Sequence, residues 1–201
     1  MTLPVWQLTR TSAGRQLFET LAAAGIVLSR LEQFEHVLES PIPSPSPPDE
    51  VSLSVDHPDA IALPEEMERP STTAEDRVVT AVADDRIVGV QPVTIDRPVF
   101  VEPLERSIDF DGAYFWGLYV DAEWRRRHVA SALVTRALSF VDDRTEQTRV
   151  QTLIGVDNVP SKRVLGGAGF ERNRVRSYYR LFGLHHRSQR EVERASSTRT
   201  R

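Results

Sequence analysis

Cysteine is absent from this sequence of 201 residues, which excludes disulfides, thiolate zinc sites and a cysteine nucleophile together. Lysine is nearly absent as well: Lys162 stands alone among 25 basic side chains, and the others are arginine. Long hydrophobic runs are also missing. No stretch of about 18 apolar residues is present that could span a bilayer as a helix. The opening MTLPVWQLTRTSAGRQLFETLAAAGIVL lacks the charged start, continuous apolar middle and cleavage site of a secretory signal. The expectation is a cytoplasmic protein with no membrane partner. The five histidines, His36, His57, His128, His185 and His186, show no ligand spacing, so no metal is expected.

What is present is charge, unevenly spread. The formal net charge is -4, yet the ending HHRSQREVERASSTRTR sets five arginines against Glu191 and Glu193. The body is therefore acidic and the tail basic. Arginine in place of lysine, with abundant Asp and Glu, is the usage of salt-adapted or GC-rich genomes, which suggests a halophilic, haloarchaeal source; codon bias alone gives the same pattern. With 40% hydrophobic residues the chain can bury one sizeable core. One compact domain with appendages is the expectation.

Along the chain, Leu17, Leu21 and Ala24 recur at helical spacing behind a possible Ser12 cap, and LSRLEQFEHVLES fits helix or strand equally. Residues 1–39 are read as an N-terminal extension of a helix followed by a helix or strand. SPIPSPSPPDE, residues 40–50, holds five prolines, which forbid a helix and favour an extended connector. This separates the extension from a domain of residues 51–184, unless Leu17, Leu21 and Phe34 pack on that core or on the second subunit of a homodimer. Residues 185–201 have little to bury and read as a disordered tail.

Within the domain, VSLSV is a short strand, and RVVTAVADDRIVGVQPVTI is a hairpin turning at Asp84 and Asp85. GAYFWGLYV, residues 112–120, is β-branched and aromatic enough for a central strand. A helix follows with Leu133, Ala137 and Val141 on one face, then a strand over residues 149–156, a short helix from Pro160 to Leu165, and one or two closing strands in GFERNRVRSYYRLFG. Strands joined first by a turn and later through helices predict a mixed sheet in an α/β domain.

The chemistry concentrates in VDAEWRRRHVASALV, where a strand hands over to a helix through three arginines. A helix start leaves backbone N–H groups unpaired at the positive end of its dipole, so a loop wrapping into it can hold phosphate oxygens. Arg125-Arg126-Arg127-His128-Val129-Ala130 resembles the pyrophosphate loop Q/R-x-x-G-x-G/A of the GCN5-related N-acetyltransferase (GNAT) family. His128 stands at the first glycine of that pattern and can adopt the left-handed backbone the position needs. LIGVDNVPSKRVLGGAGFE is similar to the second motif of the family, a strand, an Asn, a short helix and a small-Gly-Phe ending, with Asn158 at the position that contacts the cofactor. As a cap ahead of Pro160, Asn158 has an equally ordinary structural role.

The resemblance covers residues 51–183. It implies a mostly antiparallel central sheet flanked by helices, whose two central strands splay to admit the pantetheine arm of acetyl-CoA. Backbone groups of Leu118, Tyr119 and Val120 would pair with that arm, and residues from Arg125 through Ser131, with Asn158, would complete the cofactor site. The implied activity is direct transfer of an acetyl group to an amine of a small molecule or protein, without metal. Such transfer needs a base for the amine, a donor for the oxyanion and an acid for the departing thiolate. The family's tyrosine acid is replaced here: Leu165 and Gly166-Gly167 occupy that region. Tyr178, Tyr179 and Tyr119 are the remaining candidates, with water or substrate as the other proton source. Two further functions are distinguishable: an acyl-CoA-binding regulatory module with reduced catalysis, and nucleic-acid binding through the arginines, which the acidic body disfavours. Glu65, Glu66, Glu68, Glu102 and Glu105, in two loops, hint at a cationic acceptor.

Overall fold

A computed structural model describes residues 20, 25–38, 42, 44–61, 73 and 75–192. The helix expected around Leu17 and Leu21, and the acidic residues Glu65, Glu66 and Glu68, lie outside them. The described chain forms one sheet in the order β11-β10-β1-β9-β7-β4-β3-β2, with β8 pairing β4. These strands are β1 (Ile26–Val37), β2 (Ser52–Asp56), β3 (Arg77–Ala83), β4 (Arg86–Thr94), β7 (Ala113–Phe115), β8 (Tyr119–Val120), β9 (Arg149–Gly155), β10 (Glu171–Leu181) and β11 (Leu184–Glu191). A separate hairpin joins β5 (Val99–Val101) to β6 (Arg106–Ile108). Among the described strands only β7 and β9 pair in parallel, which gives the mostly antiparallel mixed sheet expected.

Among the described residues two helices cover one face: α1 (Val129–Arg144) and α2 (Val159–Gly167). In α1, Val129, Leu133, Ala137 and Val141 recur every four residues and are buried, so one stripe packs on the sheet with Val79, Ala81 and Phe115. On the opposite face the β5–β6 hairpin supplies Val99, Val101 and Ile108 to a second cluster around Tyr114 and Tyr178. Asp84 and Asp85 take φ 48° and 58° between β3 and β4, the pair of left-handed residues that matches a two-residue turn to strand twist.

Three expectations about the periphery are corrected. Residues 26–37 are not part of a separable extension but β1, an interior strand held antiparallel between β9 and β10. The ambiguous LSRLEQFEHV is therefore strand, and its polar residues are satisfied where they are buried. Glu32 meets Lys162 and Arg172, Gln33 accepts from Arg176 Nε at 2.8 Å, and Glu35 accepts from Gln151 at 2.8 Å. The proline-rich stretch is no free connector either: Glu50 pairs with Arg127 at 3.1 Å, Ile42 packs on the core and Val51 is buried within it. Finally, residues 185–191 of the expected disordered tail are ordered with Leu184 as β11, paired to β10 from Arg174↔Glu191 to Leu181↔Leu184. Backbone pairing and Tyr178 anchor it, although all its side chains are exposed.

Candidate functional site

The central strand expected over residues 112–120 is broken, and the break makes a cleft. β4 pairs β7 at Val93↔Phe115 and β8 at Val90↔Tyr119. Gln91 and Pro92 thus oppose Trp116, Gly117 and Leu118, one residue too many on the second strand. Proline has no N–H for the ladder and is tolerated at such bulges. The Pro92 carbonyl still accepts from Trp116 N at 3.3 Å, and the buried Gln91 amide holds the Trp116 carbonyl at 3.1 Å. Gly117, at φ 57°, completes the turn.

The bulge turns the chain away from β9. Pairing of β7 with β9 stops at Phe115↔Thr152, whereas β9 continues to Gly155 with its other edge on β1. The gap is a cleft of about 160 Å³ lined by Leu118, Leu153, Ile154, Asn158, Ser161 and Leu165, among others. One wall is therefore a strand edge left to pair with an extended ligand. On the other wall, Tyr119 and Val120 pair with β4, and the Val120 carbonyl accepts from Arg125 Nε at 3.0 Å.

The turn of residues 122–124 and the loop of Arg125 through His128 then lead into α1. Arg126 and His128 take φ 63° and 64°, so His128 has the left-handed backbone that the glycine of the motif would supply. His128 is the N-cap of α1 and makes no side-chain cap hydrogen bond. The first N–H groups of α1 are thus left uncapped by the residue that usually serves them. Around them, Arg127 lies over the Trp124 ring at 4.4 Å and pairs with Glu50. Among the described residues Arg126 has neither kind of partner. Ser131, exposed, and Ala130, half-buried, occupy the first turn. A shallow surface depression of about 710 Å³ beside it is lined by Ser44, Pro48, His128, Ser131 and Thr135, among others.

Asn158 performs its structural role and still lines the cleft. Its Oδ1 caps α2 by accepting from Ser161 N at 3.3 Å, which leaves the side-chain NH2 as its remaining donor. Lys162 follows on α2, donating Nζ to the Val156 carbonyl at 2.7 Å and pairing with Glu32. Burial pushes the Glu32 carboxyl up, but hydrogen bonds and charge from Lys162 and Arg172 outweigh it and hold the group below the usual carboxylate range.

The three candidate tyrosines are dispersed. Tyr178 is fully buried on the face away from the helices. Its hydroxyl donates to Glu105 Oε2 at 2.5 Å and lies 2.7 Å from His185 Nδ1. Burial, then the Glu105 hydrogen bond and charge, raise its pKa, against the opposing charges of Arg187 and Arg180. Tyr179, on the other face of β10, is 37% exposed and stacks on His186. Tyr119 is half-buried beside Val78 and Val90. Sequence reasoning missed Gln91, Pro92 and Gly117, which build the bulge; proline in the otherwise β-rich run VQPVT was the available signal.

Residues 41–170 match the model of the acetyltransferase (GNAT) family. The L-amino acid N-acetyltransferase AaaT of Escherichia coli K12 is 36% identical over 56 residues, 28% of this chain and 35% of that protein. The chain thus matches about a third of the curated relative. Among solved structures, the GCN5-related N-acetyltransferase from Sphaerobacter thermophilus aligns with TM-score 0.50 at 16% identity, over 90% of this chain and 57% of that one. The GCN5-related N-acetyltransferase from Kribbella flavida aligns at 0.51 and 14% identity, over 90% and 76%. These likenesses concern the fold. Together with the family match over most of the chain, they identify it: the chain belongs to the acetyltransferase (GNAT) family.

Proposed function

We propose that the protein transfers an acetyl group from acetyl-CoA to an amine of a small molecule or protein by direct transfer. The observation that carries this reading is the succession along the chain of the splayed cleft at residues 115–120 and the uncapped start of α1 at His128, which suits a ligand with an extended amide-bearing arm and a pyrophosphate. The pyrophosphate would rest on the amides of Arg126 through Ser131 with Arg126, unpaired among the described residues, as its cation; the arm would pair with backbone groups of Leu118, Tyr119 and Val120 in the cleft facing β9, and Asn158 would donate to it. The amine attacks the thioester carbonyl, the C–N bond forms, the C–S bond breaks, and the amine proton leaves as the thiolate gains one. Arginine usage and the acidic balance support a halophilic setting in the same reading.

A second reading, a regulatory acyl-CoA-binding module, is favoured by one residue. Leu165, where the family places its tyrosine acid, is buried and lines the cleft, and it cannot give the thiolate a proton.

Replacing Ala130 by Glu tests the first reading. A carboxylate in the first turn suits the helix dipole, so α1 should form, but it repels phosphate from the amides. Calorimetry should show acetyl-CoA affinity falling at least a hundredfold; unchanged affinity would remove the basis of the proposal. A panel of amines and peptides with labelled acetyl-CoA then separates the readings, since tight binding without turnover would favour the regulatory module.

A further inference from the structure

On the face of the sheet away from α1 and α2, β10, β11 and β6 meet around a pocket of about 100 Å³ lined by Arg106, Arg176, Arg187, Ser177, Ser188 and Gln189, among others. Arg176 is only 9% exposed. Its Nε donates to Gln33 Oε1 at 2.8 Å and its Nη1 to Gln189 Oε1 at 3.1 Å, so both partners are neutral. Arg187 lies over the Tyr178 ring at 4.6 Å and donates to the Glu105 carbonyl at 3.3 Å. Arg106 reaches the Ser107 carbonyl at 3.5 Å. The Glu105 carboxylate is itself engaged by Tyr178 and Arg180. Among the described residues, none of these three guanidinium groups is paired with a carboxylate.

In a chain with more Asp and Glu than Arg and Lys, three arginines gathered without a counter-ion need an explanation. A desolvated guanidinium with only neutral partners is unfavourable, and its neighbours aggravate this: burial, then the charges of Arg174 and Arg106, hold the Arg176 pKa below its usual value. An oxyanion would accept charge-assisted bonds from the guanidinium groups. The volume leaves room for a carboxylate or phosphate group.

We infer that this pocket binds an oxyanion, the carboxylate or phosphate group of a small ligand, with Arg106, Arg176 and Arg187 as its cationic lining. The site is separate from the α1 loop and stands whether or not the protein transfers acetyl groups.

Thermal shift and calorimetry with sodium phosphate and with sodium succinate, each against sodium chloride at equal ionic strength, test it. The wild type should show a saturable response to at least one of the two, and which one answers distinguishes a phosphoryl from a carboxylate ligand. Arg106 and Arg187 are exposed, so Arg106→Gln and Arg187→Gln should fold normally and each weaken binding at least tenfold. The Ala130→Glu variant should respond as the wild type does. No response beyond that to chloride, an equal response in both arginine variants, or loss of the response in Ala130→Glu would overturn the assignment.

Discussion

His128 holds a conformation that costs an L-residue about 1–2 kcal/mol, and its side chain does not cap the helix that it begins. His128→Gly should therefore leave stability unchanged or raise it by about 0.5–1 kcal/mol and keep acetyl-CoA affinity. His128→Val should lower stability by about 1–2 kcal/mol and weaken that affinity, both read by thermal denaturation and calorimetry. Glu32 supports a different prediction. Its carboxyl pKa is depressed on folding, so its contribution is present above the unfolded value of about 4.3 and is lost as pH falls through the lower folded value. Glu32→Gln should cost about 1–3 kcal/mol at pH 7, and the gap from wild type should narrow as denaturation is repeated toward pH 3. For the tyrosines, burial and the Glu105–His185 clasp withhold the Tyr178 hydroxyl, and Tyr179 points to the exposed face. Tyr178→Phe should lower the melting temperature and Tyr179→Phe should do little, with each keeping turnover within about threefold, far from the hundredfold of a lost general acid. Alternation along β10 was legible in the sequence, and so was His128 as the stand-in for glycine. Which tyrosine is buried depends on the β5–β6 hairpin, which no local pattern announced.

Elements whose burial pattern was apolar were legible. The α1 stripe, the β3–β4 hairpin and β9 follow from periodicities in their own residues. β1 hid because its interior position is filled by Glu32, Gln33 and Glu35, whose partners lie on β9, β10 and α2; a polar strand is indistinguishable from a surface strand until those partners are known. β11 hid for the opposite reason, being ordered by backbone pairing while its side chains remain exposed. The cleft was legible only as an expectation of splayed strands, since the bulge depends on two strands opposing unequal numbers of residues. The consequence of β1 is sharp: a chain starting at Glu50 should lack a cooperative thermal transition. Its loss would leave β9 and β10 without a shared neighbour and would remove the Glu32 partner of Lys162 and Arg172 and the Gln33 acceptor of Arg176. A folded, soluble product binding acetyl-CoA as tightly as the full chain would show that β1 is dispensable.

For the molecule as a whole, the sheet joins the two ends of the described chain: Ile26 pairs with Leu181, and β1 separates β9 from β10. Such distant pairing favours slow folding, because loop closure must precede the contacts that reward it. It also sets an order of events in the cell. Because β1 precedes β9 and β10 in the chain, it leaves the ribosome well before the two strands that enclose it are made. A nascent chain arrested before Glu171 would carry β1 with one edge of its backbone still unpaired, exposed to chaperones, proteases and its neighbours. Translation must pass β10 before the two halves of the sheet can be sewn together.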